Sequence, residues 1–218
     1  MSQTQISIGT QTITLVAMPT APGFSDVQLT ANDTVGSVRS SFTGQTQTQS
    51  WPGADYWSGT VTLPPLTRVQ SGAWTSFLMQ CRGMTNGFML ADPLASTPQG
   101  TAQGLPVANT AGATGNNAAM TTTLFTRGWT ENAFRLLLPG DNIQVGFRLH
   151  RVLDQVNSDA NGDASISIWP SLREVPVDGS SIILNKPAGL FRLAKNTRDW
   201  QIGLGLVTTL SFQVTEFR

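Results

Sequence analysis

Charge is what this 218-residue chain has least of. Asp, Glu, Lys and Arg make up 12% of it, about half the usual share of a globular protein. Thirteen acidic residues balance thirteen basic ones, so the formal net charge is zero. No basic field exists to gather nucleic acid or an anionic membrane, so sequence-specific nucleic-acid binding is not expected. Lysine is scarcer still, with Lys186 and Lys195 alone against eleven arginines. The single cysteine, Cys81, excludes an intrachain disulfide, and the fold must stand on its core. Long apolar runs are missing too. No segment approaches the roughly 20 residues of a membrane-spanning helix, and stable membrane insertion is not expected. The first residues, "MSQTQISIGTQTITLVAM", have no basic stretch and too short an apolar run for a signal peptide. Synthesis in a cytoplasm without export by a cleaved signal is the expectation.

Thr, Ser, Gln, Asn and Gly supply the polarity instead. Low net charge promotes association, and interfaces are depleted in Lys and enriched in Arg. The composition therefore suits a surface largely buried against other subunits. It equally suits a secreted β-protein with a Thr/Ser-rich face. The length fits one large all-β domain or two small ones, with enough chain to bury a substantial core.

Period-two alternation dominates and predicts strands. "DNIQVGFRLHRVL" sets Ile143, Val145, Phe147 and Leu149 on one side, with Gln144, Arg148 and His150 on the other. "YWSGTVTLPPLT" alternates through Trp57, Val61 and Leu63 before Pro64–Pro65, and "WQIGLGLVTTLSFQVTEF" supplies two more strands. "SVRSSFTGQTQTQSW" opens with Val38 and Phe42 among small polar residues, then becomes a Gln/Thr ladder. One segment breaks the period. Val69, Ala73, Trp74, Phe77, Leu78 and Cys81 fall at helical spacing, with Gly83 where a terminating glycine belongs. The expected fold is mainly β, a sandwich or barrel-like domain, with one amphipathic helix at about 68–82. A long extended loop or arm occupies about 95–119. The whole chain, 1–218, reads as one domain, or as two β subdomains (1–92 and 120–218) joined by that arm.

From Ala95 to Ala119 the arm holds no charge and no aromatic ring. Such a stretch buries too little apolar surface to fold alone, and structureless loops of this length inside compact domains are functional or disordered. Two readings stand: a flexible surface loop, or an arm ordered only against a neighbouring subunit. In the second, Thr97, Gln99, Gln103, Asn109, Thr114, Asn116 and Asn117 would make the subunit contacts.

No motif carries chemistry. His150 is the only histidine, and no sequence pattern gives it an orienting acid or a nucleophile. Cys81 lies on the apolar helix stripe as a small hydrophobe. "NSDANGDASISI" imitates a calcium loop at Asn157, Asp159, Asn161 and Gly162, but its twelfth position is Ile168 where a bidentate Glu is needed. It reads as a hairpin turn. "GATG", "GLGL" and "GTAQG" lack the Gly-Lys-Ser/Thr of a phosphate loop. No catalytic residue, cofactor or metal site is expected, and the chain does not read as an enzyme. In "WPGADYW", Trp51, Tyr56 and Trp57 would suit sugar stacking in a carbohydrate-binding β-sandwich that recognises a host surface. Core aromatics flanking a turn are the alternative.

The second half carries a recognisable pattern, "LPGDNIQVGFRLHRVLDQVNSDANGDASISIWPSLREVPVDGSSIILNKPAGLFRLA" (Leu138–Ala194). Its Gly140, Asp141, Ile143, Val145, Gly146, Leu149, Val152, Gly162, Pro170, Leu172, Arg173, Gly179, Pro187 and Leu193 stand in an order that resembles minor tail proteins of long-tailed bacteriophages. "WSGTVTLPPL" (Trp57–Leu66), Trp74 and "GFMLADP" (Gly87–Pro93) add to the likeness, which covers roughly residues 38–217. Within that group the chain is similar to the distal tail proteins. The resemblance implies a ring-forming β-sandwich with an accompanying helix, assembled as a homohexamer between tail tube and tail-tip hub. Implied partners are further copies of the chain, the tail tube protein, the hub protein and the tape-measure protein. The implied location is the virion tail, after synthesis in the bacterial host cytoplasm. No galectin-like C-terminal module of the sort some members add is visible, so sugar binding does not carry over.

Overall fold

The computed structural model describes residues 3–8, 11–112, 115–203 and 205–218. The protein is mainly β, with 43% of residues in strands and 6% helical. In chain order the strands are β1 (Gln3–Ile8), β2 (Gln11–Val16), β3 (Asp26–Asn32), β4 (Val35–Arg39), β5 (Thr46–Ser50) and β6 (Tyr56–Thr62). Helix α1 (Arg68–Gln80) follows, then β7 (Phe88–Ala91), β8 (Gly104–Ala108), β9 (Thr123–Trp129), β10 (Asn142–Val145) and β11 (Arg148–Val152). The series ends with β12 (Ala164–Trp169), β13 (Ile182–Ile183), β14 (Ala188–Leu193), β15 (Trp200–Ile202) and β16 (Thr208–Glu216). No described helix is long and apolar enough to cross a membrane. Two compact units result, each built from separated stretches: Met1–Thr30, Trp57–Leu94 and Ala188–Arg218 form the first, Ala31–Tyr56 and Ala95–Pro187 the second.

The first unit is organised by the sheet β3-β6-β16-β14-β7, with β15 also paired to β16. Strand β16 shows why the alternation was legible: Thr208, Leu210, Phe212, Val214 and Glu216 are buried and the residues between them are not. Buried Glu216 is satisfied by accepting the Trp57 N–H at 3.1 Å. Helix α1 begins where the Gln70 side chain accepts the Thr67 N–H at 3.0 Å. It buries Trp74, Phe77 and Leu78. The Trp74 and Phe77 rings meet Phe88 and Phe212 edge-on or tilted, with centroids 5.2 to 6.4 Å apart, a geometry aromatic quadrupoles favour. Val69, expected on the buried stripe, is exposed; it sits in the first turn, ahead of the buried Trp74.

The second unit holds a nearly closed, barrel-like sheet in the order β13-β10-β11-β12-β9-β8. An antiparallel bridge between Val107 and Ser181 and the bond from Ala108 N–H to Ser180 O, at 2.8 Å, draw β8 back to the β13 edge. Leu124, Leu136, Leu137, Ile143, Ile166 and Ile168 fill its core. Each such burial contributes about 1.5–3 kcal/mol.

The single strand expected through "DNIQVGFRLHRVL" is in fact a hairpin. Gly146, at φ +58°, turns the chain between β10 and β11, and Val145 pairs with Arg148. Gln144, Arg148 and His150 are therefore buried in the barrel, where the alternation had set them on a polar face. By contrast, the 153–163 connection between β11 and β12 is the turn that was expected. Asp159 Oδ1 accepts the N–H groups of Asn161 and Asp163 at 2.8 and 2.9 Å, an Asx-type turn. Gly162 there has φ +73°, and a Cβ would come within 2.4 Å of Trp129 O.

The 95–119 stretch also holds more structure than its composition suggested. Gly104–Ala108 is β8, paired with β9. Thr101 and Ala102 N–H groups bond to Arg135 O and Leu136 O at 2.9 and 3.0 Å. Backbone pairing needs neither charge nor aromatic side chains, which is why composition did not reveal it.

Candidate functional site

Of the proposed contact residues, Thr97, Gln99, Gln103 and Asn116 are exposed, Asn109 and Asn117 are buried, and Thr114 lies outside the described residues. Exposed side chains do not leave the backbone loose. Asp141 Oδ1 accepts the Gln99 N–H at 2.8 Å, and Thr130 N–H donates to Gln103 O at 3.2 Å. Asn117 takes the place of a strand partner. Its Oδ1 accepts the Phe125 N–H at 2.8 Å and its Nδ2 donates to Phe125 O at 2.9 Å. Asn109 Oδ1 accepts from Arg127 Nη1 at 3.2 Å. Beyond it, Asp178 receives the N–H groups of Thr110 and Ala111 at 2.9 and 3.1 Å, plus Arg127 Nη2 at 2.8 Å. Those amides, then the guanidinium, hold the Asp178 carboxyl below its usual range.

The stretch "SVRSSFTGQTQTQSW" makes the most exposed feature of the second unit. Strands β4 and β5 form their own two-stranded antiparallel sheet, from Val35 opposite Ser50 to Arg39 opposite Thr46, without a bulge. Every residue in them is exposed except half-buried Gly36. At the tip, Ser40 Oγ accepts the N–H groups of Phe42 and Thr43 at 3.3 and 3.2 Å, and Gly44 closes the turn at φ +69°. Phe42 there is 98% exposed and Val38 74%. The sequence did contain the signal, a Ser…Gly turn between two alternating runs. The absence of an apolar face hid it.

At its root the hairpin is fixed by buried polar bonds. Trp51 N–H donates to Thr34 O at 3.2 Å, and the Trp51 ring covers Gly36 so closely that a Cβ there would lie 2.9 Å from it. Asp55 Oδ2 accepts the Ser171 N–H at 2.6 Å. Its Oδ1 accepts the Ser171 hydroxyl at 2.6 Å and the Gly53 N–H at 3.0 Å, while Arg173 Nη2 donates to Asp55 O at 2.6 Å. Further in, Arg148 pairs with Glu174 through Nη2 and Nε at 2.6 and 3.2 Å. Burial opposes ionisation of Glu174, but the Arg148 bond and charge outweigh it and hold the carboxyl below its usual range.

Asp55, Ser171 and His150 are the residue types of a hydrolytic triad, but their bonds run otherwise. The Ser171 hydroxyl donates to the carboxylate. His150 donates its Nδ1–H to Pro170 O at 2.7 Å, since a carbonyl only accepts. Both residues are buried. Burial lowers the His150 pKa to about 4, so the imidazole is neutral at pH 7. These bonds orient the trio for holding the fold. Cys81 is buried as expected, and burial pushes its thiol up to about 12. Among the described residues, no group of three or more His, Cys, Asp or Glu gathers where a metal ion could bind.

The three aromatics weighed for sugar stacking differ in access: Trp51 is 47% exposed, Tyr56 is half-buried and Trp57 is 4% exposed. Trp57 packs in a core and has no free face to offer a ring. No known family model matches the chain, and no curated protein matches it.

Proposed function

We propose that the chain is a structural subunit of a bacteriophage tail tip, forming a homohexameric ring between the tail tube and the hub of the host-adsorption apparatus. The observation that carries this reading is the rooted, solvent-surrounded, nearly uncharged hairpin β4–β5 on a chain of zero net charge. A monomer has no use for such a surface, and low charge favours association. The Leu138–Ala194 run supplies the tail-tip resemblance. Rings close through heterologous contacts, in which one patch meets a different patch of the next copy. Native mass measurement of the purified chain, with labelling of the subunit in intact particles, tests the reading. A six-fold mass and a label at the tail tip are expected. A monomer at high micromolar concentration with no label on the particle would sink it.

A further inference from the structure

We infer that the β4–β5 hairpin is the arm by which one copy grips the next, through strand addition along its unpaired backbone edges; this rests on the ring reading above. The geometry fixes which groups are on offer. Ser40 N–H bonds to Gln45 O at 2.9 Å and Trp51 N–H to Thr34 O at 3.2 Å. In an antiparallel ladder hydrogen-bonded pairs alternate with non-bonded ones. The non-bonded pairs are therefore 35/50, 37/48 and 39/46. Val35, Ser37 and Arg39 turn their N–H and C=O groups outward along one edge, and Thr46, Thr48 and Ser50 do so along the other. Among the described residues none of the outward N–H and C=O groups of these six residues has a hydrogen-bond partner.

Proteins guard such edges with Lys, Pro, bulges or inward charges. None of these stands between Val35 and Ser50. The only charge, Arg39, is turned back to donate from Nε to Gly44 O at 3.3 Å. A free two-stranded hairpin is marginal in water, yet this one is held at tip and root by the bonds already described, so little ordering remains to be done on docking.

The occupant is a second copy of this chain, and charge decides it. A Thr/Gln ladder with one satisfied arginine offers nothing to phosphates or anionic lipid. It fits a surface from which no charge need be stripped of water. This chain provides one: neutral overall, it carries in its first unit the exposed uncharged strand β15, with Trp200 and Ile202 at the surface. Size agrees. The sixteen residues Val35–Ser50, with exposed Trp51 and Met120 near the root, approach the roughly 20–30 residues a side of a standard interface. In a ring each copy both gives a hairpin and receives one.

The test uses the full chain. Ser37→Pro with Thr48→Pro removes one outward donor from each edge and spares every bond within the hairpin; Phe42→Asp alters only the exposed tip. Light scattering reads the mass, and amide exchange reads the six outward N–H groups. Wild type should assemble and slow those six amides at least roughly tenfold relative to dilute monomer. Both variants should stay monomeric with unchanged melting, and if the Pro pair unfolds the chain, Phe42→Asp decides alone. Rings formed by the variants as by wild type overturn the hairpin contact and leave the ring reading standing. A monomeric wild type overturns both.

Discussion

Asp55 is the residue on which the hairpin root depends. Three donors, Ser171 N–H, Ser171 Oγ–H and Gly53 N–H, converge on its carboxylate; replacing it takes the acceptor from both buried Ser171 donors, while Gly53 N–H keeps Ser171 Oγ at 2.6 Å. Asp55→Ala should cost about 2–4 kcal/mol, which for a chain this size lowers the melting temperature by about 5–12 °C. Asp55→Asn retains one acceptor oxygen and should lose less. A thermal melt that moves by under about 2 °C would show the carboxylate to be dispensable. His150 makes a pH prediction whose sign follows from its folded pKa of about 4 against the ordinary imidazole value of 6.5. Above pH 6.5 both states are neutral and the group contributes nothing to pH dependence. Between 6.5 and about 4 the unfolded chain takes up a proton that the folded one refuses, so stability falls by about 3 kcal/mol in all as the pH drops. Urea unfolding at pH 7 and 5 measures the first part of that loss. His150→Asn keeps an N–H for Pro170 O and does not titrate, so it should flatten the slope. An unchanged slope in that variant would place the titration elsewhere.

Elements differ in what holds them. Helix α1 is held by its aromatic face: Phe77→Ala should cost about 3–5 kcal/mol, while Val69→Ala, on the exposed side, should stay within about 0.5 kcal/mol. Urea midpoints of the two variants compare them directly. The 95–119 stretch is held by backbone and by Asn117. Asn117→Ala takes the acceptor from the Phe125 N–H, while Phe125 O keeps the Asn109 N–H at 2.9 Å, at a cost of about 1–2 kcal/mol; Gln103→Ala, with an exposed side chain, should be silent. Proteolysis of the unassembled chain should therefore spare Gly104–Asn109. Rapid cleavage there would mean that β8 does not stay in the barrel.

At the scale of the whole molecule, sparse charge has a measurable consequence. Self-association through an uncharged surface gains little from steering and little from ion pairs, so salt should barely affect it. The association constant from sedimentation should change by less than about threefold between ~50 and ~500 mM NaCl. A loss of tenfold or more would mean that the thirteen acidic and thirteen basic residues meet across the interface after all.

What the sequence determined by itself is whatever depends on local period and composition. The β-rich class, the helix carrying Trp74, Phe77 and Leu78, the alternation of β16 and the turn at Asp159 all follow from spacings of two or 3.6 residues and from turn chemistry. The neutrality that points to association needs only a count. What the tertiary structure alone decided depends on residues far apart in the chain. Gly146 splits one apparent strand into β10 and β11, because only the barrel rewards the turn by burying both. An aromatic-free, chargeless run becomes β8 because β9 and Ser180 offer it backbone partners. Asp55 finds Ser171, and Asn117 finds Phe125, through folds of the backbone that no local pattern announces. The hairpin β4–β5 stayed hidden for the opposite reason: apart from Gly36 under the Trp51 ring its residues stay exposed, so it leaves no hydrophobic period to read.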